Sequence, residues 1–331
     1  MHPDSGLAAY AGARALVFGG TGFVGPWLVR AALDHGAQIT VAGRSASAAA
    51  ALRDWCGGAT VEFLECDVCD DEVVQRTVQA VRPHVTFNLA GYGVNREERD
   101  EAQAYRVNAR FPGVLCGAVS GSRDASWAGA ALVHAGTQLE YGPLEGDVSE
   151  DRPQREPNTM YGRSKLEGTR ALQHCARSTG MCAFSARLFN IFGPGEPSGR
   201  LLPSLMRAAA QGIDLPLTEG GQSVDFAYVE DVAEGLLRLG LAGSGEPGEV
   251  VNLATGRLTQ VRSFAEAAAR QLGMPRERLL FGALPPRAET SQYTAVSTSR
   301  LRQLTGWVPS VHVDEGIRRT IERRGQAYAR S

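Results

Sequence analysis

The chain has 331 residues, 43% of them apolar and 21% charged, and a formal charge of -2 at neutral pH. This composition describes a folded globular protein with a sizeable core, and it excludes long disordered tracts and the basic surface that nucleic acid or an anionic membrane would need. No apolar run nears the roughly 18 residues that cross a bilayer, and the first fourteen lack the basic-then-apolar layout of a signal peptide, so the cytoplasm is the expected compartment. The six cysteines, at positions 56, 66, 69, 116, 175 and 182, are scattered through expected strands and helices as reduced thiols would be. Cys66-Asp-Val-Cys69 has no second ligand pair at zinc spacing, so no metal is expected.

The first clear element is Ala15-Leu-Val-Phe18, an apolar run of the kind buried in a parallel sheet, followed at once by Gly19-Gly-Thr-Gly-Phe-Val-Gly25. Gly19 permits the tight turn, Gly22 lets the backbone approach a pyrophosphate, and Gly25 lets the next helix pack close to the sheet. The anion belongs at that helix N-terminus, and Pro26 suits a first turn with no donor to lose. Further strands are expected at Gln38–Ala42, Thr60–Leu64, Val85–Leu89 and Ala131–Ala135, with helical stretches between most of them. This alternation specifies an α/β fold, a Rossmann-like doubly wound parallel sheet. Beyond Asn190 the loop Gly193–Gly199 ends the alternation. We therefore expect a dinucleotide-binding domain over 1–190, with a return segment near 224–255, and a smaller mixed domain over 191–331 that binds substrate.

Tyr161 and Lys165 are four residues apart and share one face of a helix. A tyrosine hydroxyl titrates near 10, and a neighbouring ammonium favours the phenolate and brings it toward the range where it can exchange a proton. Thr137, just beyond the fifth expected strand, can offer a hydroxyl to the same substrate oxygen.

With these residues the chain resembles the extended short-chain dehydrogenases/reductases that act on nucleotide sugars, the NAD-dependent epimerase/dehydratase family. The resemblance runs over nearly the whole length. It rests on Gly19–Gly25, Asp67-Val68, Asn88-Leu-Ala-Gly91, Val107-Asn108, Thr137-Gln-Leu-Glu-Tyr-Gly142, Tyr161 with Lys165, Arg187–Gly195, Asp225–Asp231 and Gly306-Trp-Val-Pro309. It implies that Tyr161 exchanges a proton with the substrate carbonyl oxygen while hydride passes at nicotinamide C4. Lys165 would hold the nicotinamide ribose and tune Tyr161, and Thr137 would orient the carbonyl. The cofactor would also meet Gly19, Thr21, Gly22, Phe23, Val24 and Gly25, with Asp67 and Val68 at the adenine and Leu89, Ala90 and Gly91 in the turn against it. Asn108 is either a packing amide or a member of the catalytic relay. Asn190, Arg200 and Arg287 match or flank residues that reach the nucleotide-sugar diphosphate, although Asn190 also reads as a turn residue and Arg287 as a loop residue. A homodimer is implied by the resemblance alone.

Two departures narrow the chemistry. Dehydratases of the family carry Asp-Glu directly after the catalytic Ser/Thr, where this chain has Gln138-Leu139, which cannot remove water. Enzymes that epimerise at two carbons place a cysteine at the Leu139 position. What remains is simple hydride transfer. The second strand ends in Gly43-Arg44-Ser45, without the carboxylate that selects an unphosphorylated ribose. Arg44 and Ser45 suit a 2'-phosphate, unless Arg44 is merely a surface residue, so NADP(H) is expected over NAD. The expectation is an NADP(H)-dependent 4-ketoreductase of a nucleotide-diphosphate 4-keto-6-deoxyhexose, as in deoxysugar biosynthesis; the alternatives are a 4-epimerase with tightly bound NAD and a non-catalytic NADP-binding regulatory protein. The glutamate of Thr-Gln-Leu-Glu-Tyr-Gly looks more like the reductases than the epimerases. Val224 stands where relatives that bind a diphosphate often have arginine, which leaves a small-ketone reductase open.

Overall fold

The structure is a computed structural model describing residues 6–93, 98–285 and 292–323. The chain opens with β1 (Arg14–Phe18), α1 (Gly25–Asp34), β2 (Gln38–Gly43), α2 (Ala46–Trp55), β3 (Val61–Glu65), α3 (Asp71–Val81), β4 (Val85–Asn88), α4 (Glu101–Ala104), α5 (Phe111–Ser122) and β5 (Leu132–Thr137). It continues through β6 (Glu145–Val148), α6 (Met160–Thr179), β7 (Ala183–Leu188), β8 (Asn190–Phe192), α7 (Leu201–Gln211), β9 (Leu215–Leu217), β10 (Ser223–Tyr228), α8 (Val229–Leu241) and β11 (Glu249–Leu253). The last elements are β12 (Leu258–Gln260), α9 (Val261–Gln271), β13 (Leu279–Phe281), β14 (Gln292–Val296), α10 (Ser299–Thr305) and α11 (Val313–Glu322).

Seven parallel strands form the central sheet in the order β11-β7-β5-β4-β1-β2-β3. Its interior strands are apolar on both faces, as a sheet covered twice requires. Ala15 and Val17 point into the layer of α1 and α8, with Leu28, Val232 and Leu236. Leu16 and Phe18 point into the opposite layer, with Phe111, Leu115 and Leu172 of α5 and α6. Strand order reverses between β1 and β4, so the turns after these two strands lie side by side at their carboxyl ends, where this fold class binds its ligands.

The fifth strand is longer than its apolar run. It pairs with β7 as far as Gly136↔Arg187 and Thr137↔Leu188, so Thr137 is the last strand residue and not a loop residue beyond it. β3 runs one residue later than expected, Val61–Glu65. Within the return segment, α8 packs on α1 and β11 pairs with β7 at the sheet edge. β10 instead joins β8 and β12 in a separate three-stranded sheet. Two buried aspartates of the Asp225–Asp231 motif fix this region: Asp225 accepts from the Thr255 N–H and hydroxyl, both at 2.9 Å, and Asp231 accepts from the Ser310 and Val311 N–H groups at 2.8 Å.

Between α4 and α5 the backbone widens into a π-helical turn, Tyr105–Arg110. It turns the Asn108 carbonyl toward Gly168 of α6 so closely that a Cβ on Gly168 would overlap the oxygen. We expect Gly168→Ala to push α6 off this turn and to lower stability by roughly 3 kcal/mol in chemical denaturation, the upper end of the usual cost of overpacking.

Candidate active site

The turn after β1 is shaped for close backbone approach. Gly19 has φ +74°, and a Cβ there would lie 2.5 Å from the Leu89 carbonyl carbon and 2.6 Å from the Ala90 nitrogen. Only glycine lets the turns after β1 and β4 meet in this way. α1 starts at Gly25 with no side-chain cap. Its first N–H groups therefore stand free for an anion at the positive end of the helix. Thr21, Gly22, Phe23 and Val24 are half-buried around it. These features fit a dinucleotide pyrophosphate, and a bound nicotinamide supplies or takes up hydride at C4.

The other sequence-expected cofactor residues lie along the same carboxyl edge. Asp67 is exposed beyond β3, and its Oδ1 accepts from the Cys69 N–H at 3.0 Å; Val68 packs against the α5 layer. Ala90 donates its N–H to Asn88 Oδ1 at 3.1 Å, which fixes the turn of Leu89, Ala90 and Gly91. Arg44 is exposed at the end of β2 and has no partner among the described residues, while Ser45 accepts from the Ala48 N–H at 3.1 Å as the cap of α2. Its hydroxyl thus already has a local structural task.

The turn that carries Thr137 follows β5. Thr137 caps a 3-10 turn, Gln138–Tyr141, by accepting from the Leu139 N–H at 3.4 Å, and the Glu140 carboxylate returns to the Thr137 N–H at 2.8 Å. This is a capping box, with both partners on one turn. Glu140 is fully buried and also accepts from Arg187 Nε at 2.9 Å and the Thr169 hydroxyl at 3.1 Å. No carboxylate occupies positions 138 or 139, and the nearest one, Glu140, is committed to Arg187.

Tyr161 enters on the first turn of α6, which Thr159 caps, and its ring lies against Gly93. Burial pushes its hydroxyl above the ordinary tyrosine range; the Glu140 and Glu98 carboxylates push the same way, and Arg200 opposes them. Lys165 is buried and donates from Nζ to the Ala135 carbonyl at 2.6 Å, and loss of hydration brings its ammonium down to about 8 against the opposing pull of Glu140. Asn108 is fully buried, donating from Nδ2 to the Tyr92 carbonyl at 2.7 Å and the Ser164 hydroxyl at 3.0 Å, and accepting from the Tyr92 N–H at 3.0 Å. Its side chain ties the turn after β4 to α6 beside Tyr161.

On the substrate side, Asn190 opens β8 and donates to the Asp225 carbonyl at 3.3 Å. Arg200 sits at the head of α7, exposed. Beside it, burial pushes the Glu196 carboxyl up to about 8, with Arg200 and the Gly193 N–H opposing. Arg287 lies outside the described residues. Glu98, Glu196 and Tyr293 belong to this neighbourhood although nothing in their local sequence marks them. Tyr293, on β14, is buried, accepts from the Asp225 N–H at 2.9 Å and donates to Gln138 Oε1 at 3.3 Å. Among the described residues no cluster of His, Cys, Asp or Glu is arranged to hold a metal, and no helix is long and apolar enough to cross a membrane.

A doubly wound sheet with an uncapped, glycine-lined helix start at its switch point, and Tyr161 and Lys165 beside it, defines a dinucleotide-dependent enzyme. The chain matches the model of the NAD dependent epimerase/dehydratase family over residues 15–254 and belongs to that family. It is 28% identical to a dTDP-6-deoxy-L-talose 4-dehydrogenase (NAD(P)(+)) of Kitasatospora kifunensis, over 92% of this chain and 94% of that protein. It is 27% identical to a UDP-glucose 4-epimerase of Mycolicibacterium smegmatis, over 93% and 97%. Among solved structures, the epimerase Mth375 of Methanothermobacter thermautotrophicus superposes with a TM-score of 0.82 at 25% identity, covering 97% of this chain and 96% of that one. The Bordetella bronchiseptica enzyme WbmF, in complex with NAD+ and UDP, superposes with a TM-score of 0.77 at 25% identity, covering 96% and 94%. The protein is thus an enzyme of this NAD(P)-dependent class.

Lys165 gives a prediction with a defined sign. Its folded value of about 8 lies below the ordinary 10.5, so at neutral pH the unfolded chain holds the proton more firmly and the buried ammonium costs stability. Lys165→Met should raise stability at pH 7 by roughly 3 kcal/mol while abolishing activity. Thermal melts at stepped pH should show that gain fading as the pH rises above 8 and gone beyond the unfolded lysine value, because wild-type Lys165 is then neutral in both states.

Proposed function

We propose that the protein reduces the 4-keto group of a nucleotide-diphosphate 4-keto-6-deoxyhexose with NADP(H). The observation that carries this reading is the intact Thr137, Tyr161 and Lys165 set beside a turn whose next two residues, Gln138 and Leu139, hold no acid or base. Removal of water needs such a pair, whereas reduction needs one proton and one hydride. The raised Tyr161 hydroxyl stays protonated at neutral pH and serves as the donor to the substrate O4. Thr137 holds that oxygen by a hydrogen bond, and Lys165 moves from the Ala135 carbonyl to the nicotinamide ribose. Asn108 keeps the turn after β4 in place beside Tyr161. Residues from 191 onward, apart from α8 and β11, form the substrate-binding part; Asn190 at its edge and Arg200 within it meet the diphosphate, and Arg200 stands in for the guanidinium absent at Val224. The likeness to a 6-deoxy-L-talose 4-dehydrogenase favours this substrate class.

The exposed, unpartnered Arg44 is assigned to the 2'-phosphate of NADP(H), with Ser45 beside it. Parallel fluorescence titrations with NADPH and NADH test this: NADPH should bind more tightly, and Arg44→Asp should reverse the order. A 4-epimerase is the second reading, favoured by the likeness to UDP-glucose 4-epimerase; it would retain NAD on purification and show no net cofactor consumption. For the chemistry, Tyr161→Phe should lower turnover by at least about a hundredfold, the contribution of a positioned acid, with NADPH affinity little changed. Unchanged turnover would remove Tyr161 from the reaction.

A further inference from the structure

Gln138 and Tyr293 come from segments 155 residues apart and meet beside the catalytic turn. The hydrogen-bond polarity of the contact is set from one end. The Asp225 backbone N–H can only donate, and it occupies the Tyr293 oxygen at 2.9 Å. The Tyr293 O–H is thereby free to donate, and it does so to Gln138 Oε1 at 3.3 Å. In this arrangement the Gln138 oxygen is the end held by Tyr293, and its amide Nε2, which has no protein partner among the described residues, is left to donate. Gln138 is half-buried and directly follows Thr137, the residue assigned to the substrate carbonyl. Asn190, which donates to the carbonyl of the same Asp225, closes the link toward the diphosphate side.

We propose that Gln138, oriented by Tyr293, is a specificity-determining residue that donates a hydrogen bond to an oxygen substituent on the hexose carbon next to the keto group. Tyr293 acts through Gln138 and is a positioning residue. The chain Asp225 N–H, Tyr293 O–H, Gln138 N–H then ends on the substrate and selects sugars that present an acceptor there over those that lack one. This rests on the nucleotide-sugar reading and adds to it the role of the position at which dehydratases carry their acid.

The test compares wild type, Gln138→Leu, Tyr293→Phe and the double variant in calorimetric binding of two probes: a nucleoside diphosphate, and the same nucleoside diphosphate joined to a 6-deoxyhexose. Loss of one hydrogen bond predicts about a five- to tenfold weaker binding of the hexose-bearing probe to Gln138→Leu, with the bare diphosphate unaffected. Tyr293→Phe should show the same selective loss, and the double variant should be no worse than Gln138→Leu alone, since both remove one interaction. In turnover the loss should fall mainly on KM. Unchanged preference for the hexose-bearing probe in Gln138→Leu, or additive losses in the double variant, would overturn the proposal. Tyr293→Phe also leaves the Asp225 N–H without its acceptor, so its melting temperature is measured alongside; Gln138→Leu carries the test if that variant unfolds. Failure of wild type to bind either probe would instead overturn the nucleotide-sugar reading itself.

Discussion

The candidate active site hangs on the Glu140 carboxylate. A fully buried carboxylate persists only where donors replace its water, and here they come from three directions: the Thr137 N–H at 2.8 Å, the Thr169 hydroxyl at 3.1 Å and Arg187 Nε at 2.9 Å. Those donors belong to the end of β5, to α6 and to β7. One charge therefore fixes the strand end that carries Thr137 relative to the helix that carries Tyr161 and Lys165. Arg187 extends the tie, since its guanidinium lies 3.9 Å from the centre of the Tyr141 ring, and the Tyr141 hydroxyl donates to Asn252 on β11 at 2.6 Å.

That constraint explains the electrostatics of the helix. α6 is drawn close by small residues: a Cβ on Gly162 would lie 2.7 Å from the Leu139 carbonyl, and Gly168 closes on Asn108. Close packing excludes water from Lys165, and burial is the largest influence on both Lys165 and the half-buried Tyr161, lowering the ammonium and raising the phenol. The Glu140 charge opposes the first effect and reinforces the second. A neutral phenol beside a readily deprotonated amine is a pair suited to donating a proton and being resupplied.

The parts of the fold that follow from local pattern were legible in the sequence. Apolar runs bounded by glycine located β1 to β5, and Gly19–Gly25 marked the tight turn into α1, because a parallel strand and a glycine-opened helix both leave local signatures. The Tyr161–Lys165 spacing was legible for the same reason, being one helical turn. What depends on contacts distant in sequence was not. Nothing around Tyr293 announces that it reaches Gln138, and Glu98 sits in a charged stretch that reads as solvated surface. The partner of Lys165 could not be told from spacing either, since its ammonium is turned inward to the Ala135 carbonyl of β5. Glu140 was readable as a family resemblance, yet its task of holding Arg187 emerges only when β7 lies beside β5.

The turn from Thr137 to Tyr141 ties architecture to chemistry. Its polar residues divide by direction: Glu140 points inward and is consumed by the capping box and Arg187, while Gln138 is left half-buried with its oxygen held by Tyr293. A second acid within this turn would have to occupy one of the two positions between Thr137 and Glu140, and those hold an amide and a leucine. Relocating Glu140 to that task would uncover the Arg187 guanidinium in the core, at a cost of about 3–5 kcal/mol for an unpaired buried charge. The one carboxylate of this turn is thus engaged in holding the end of β5 to α6 and β7, which leaves the proposed reduction, one proton alongside hydride transfer, to Thr137, Tyr161 and Lys165.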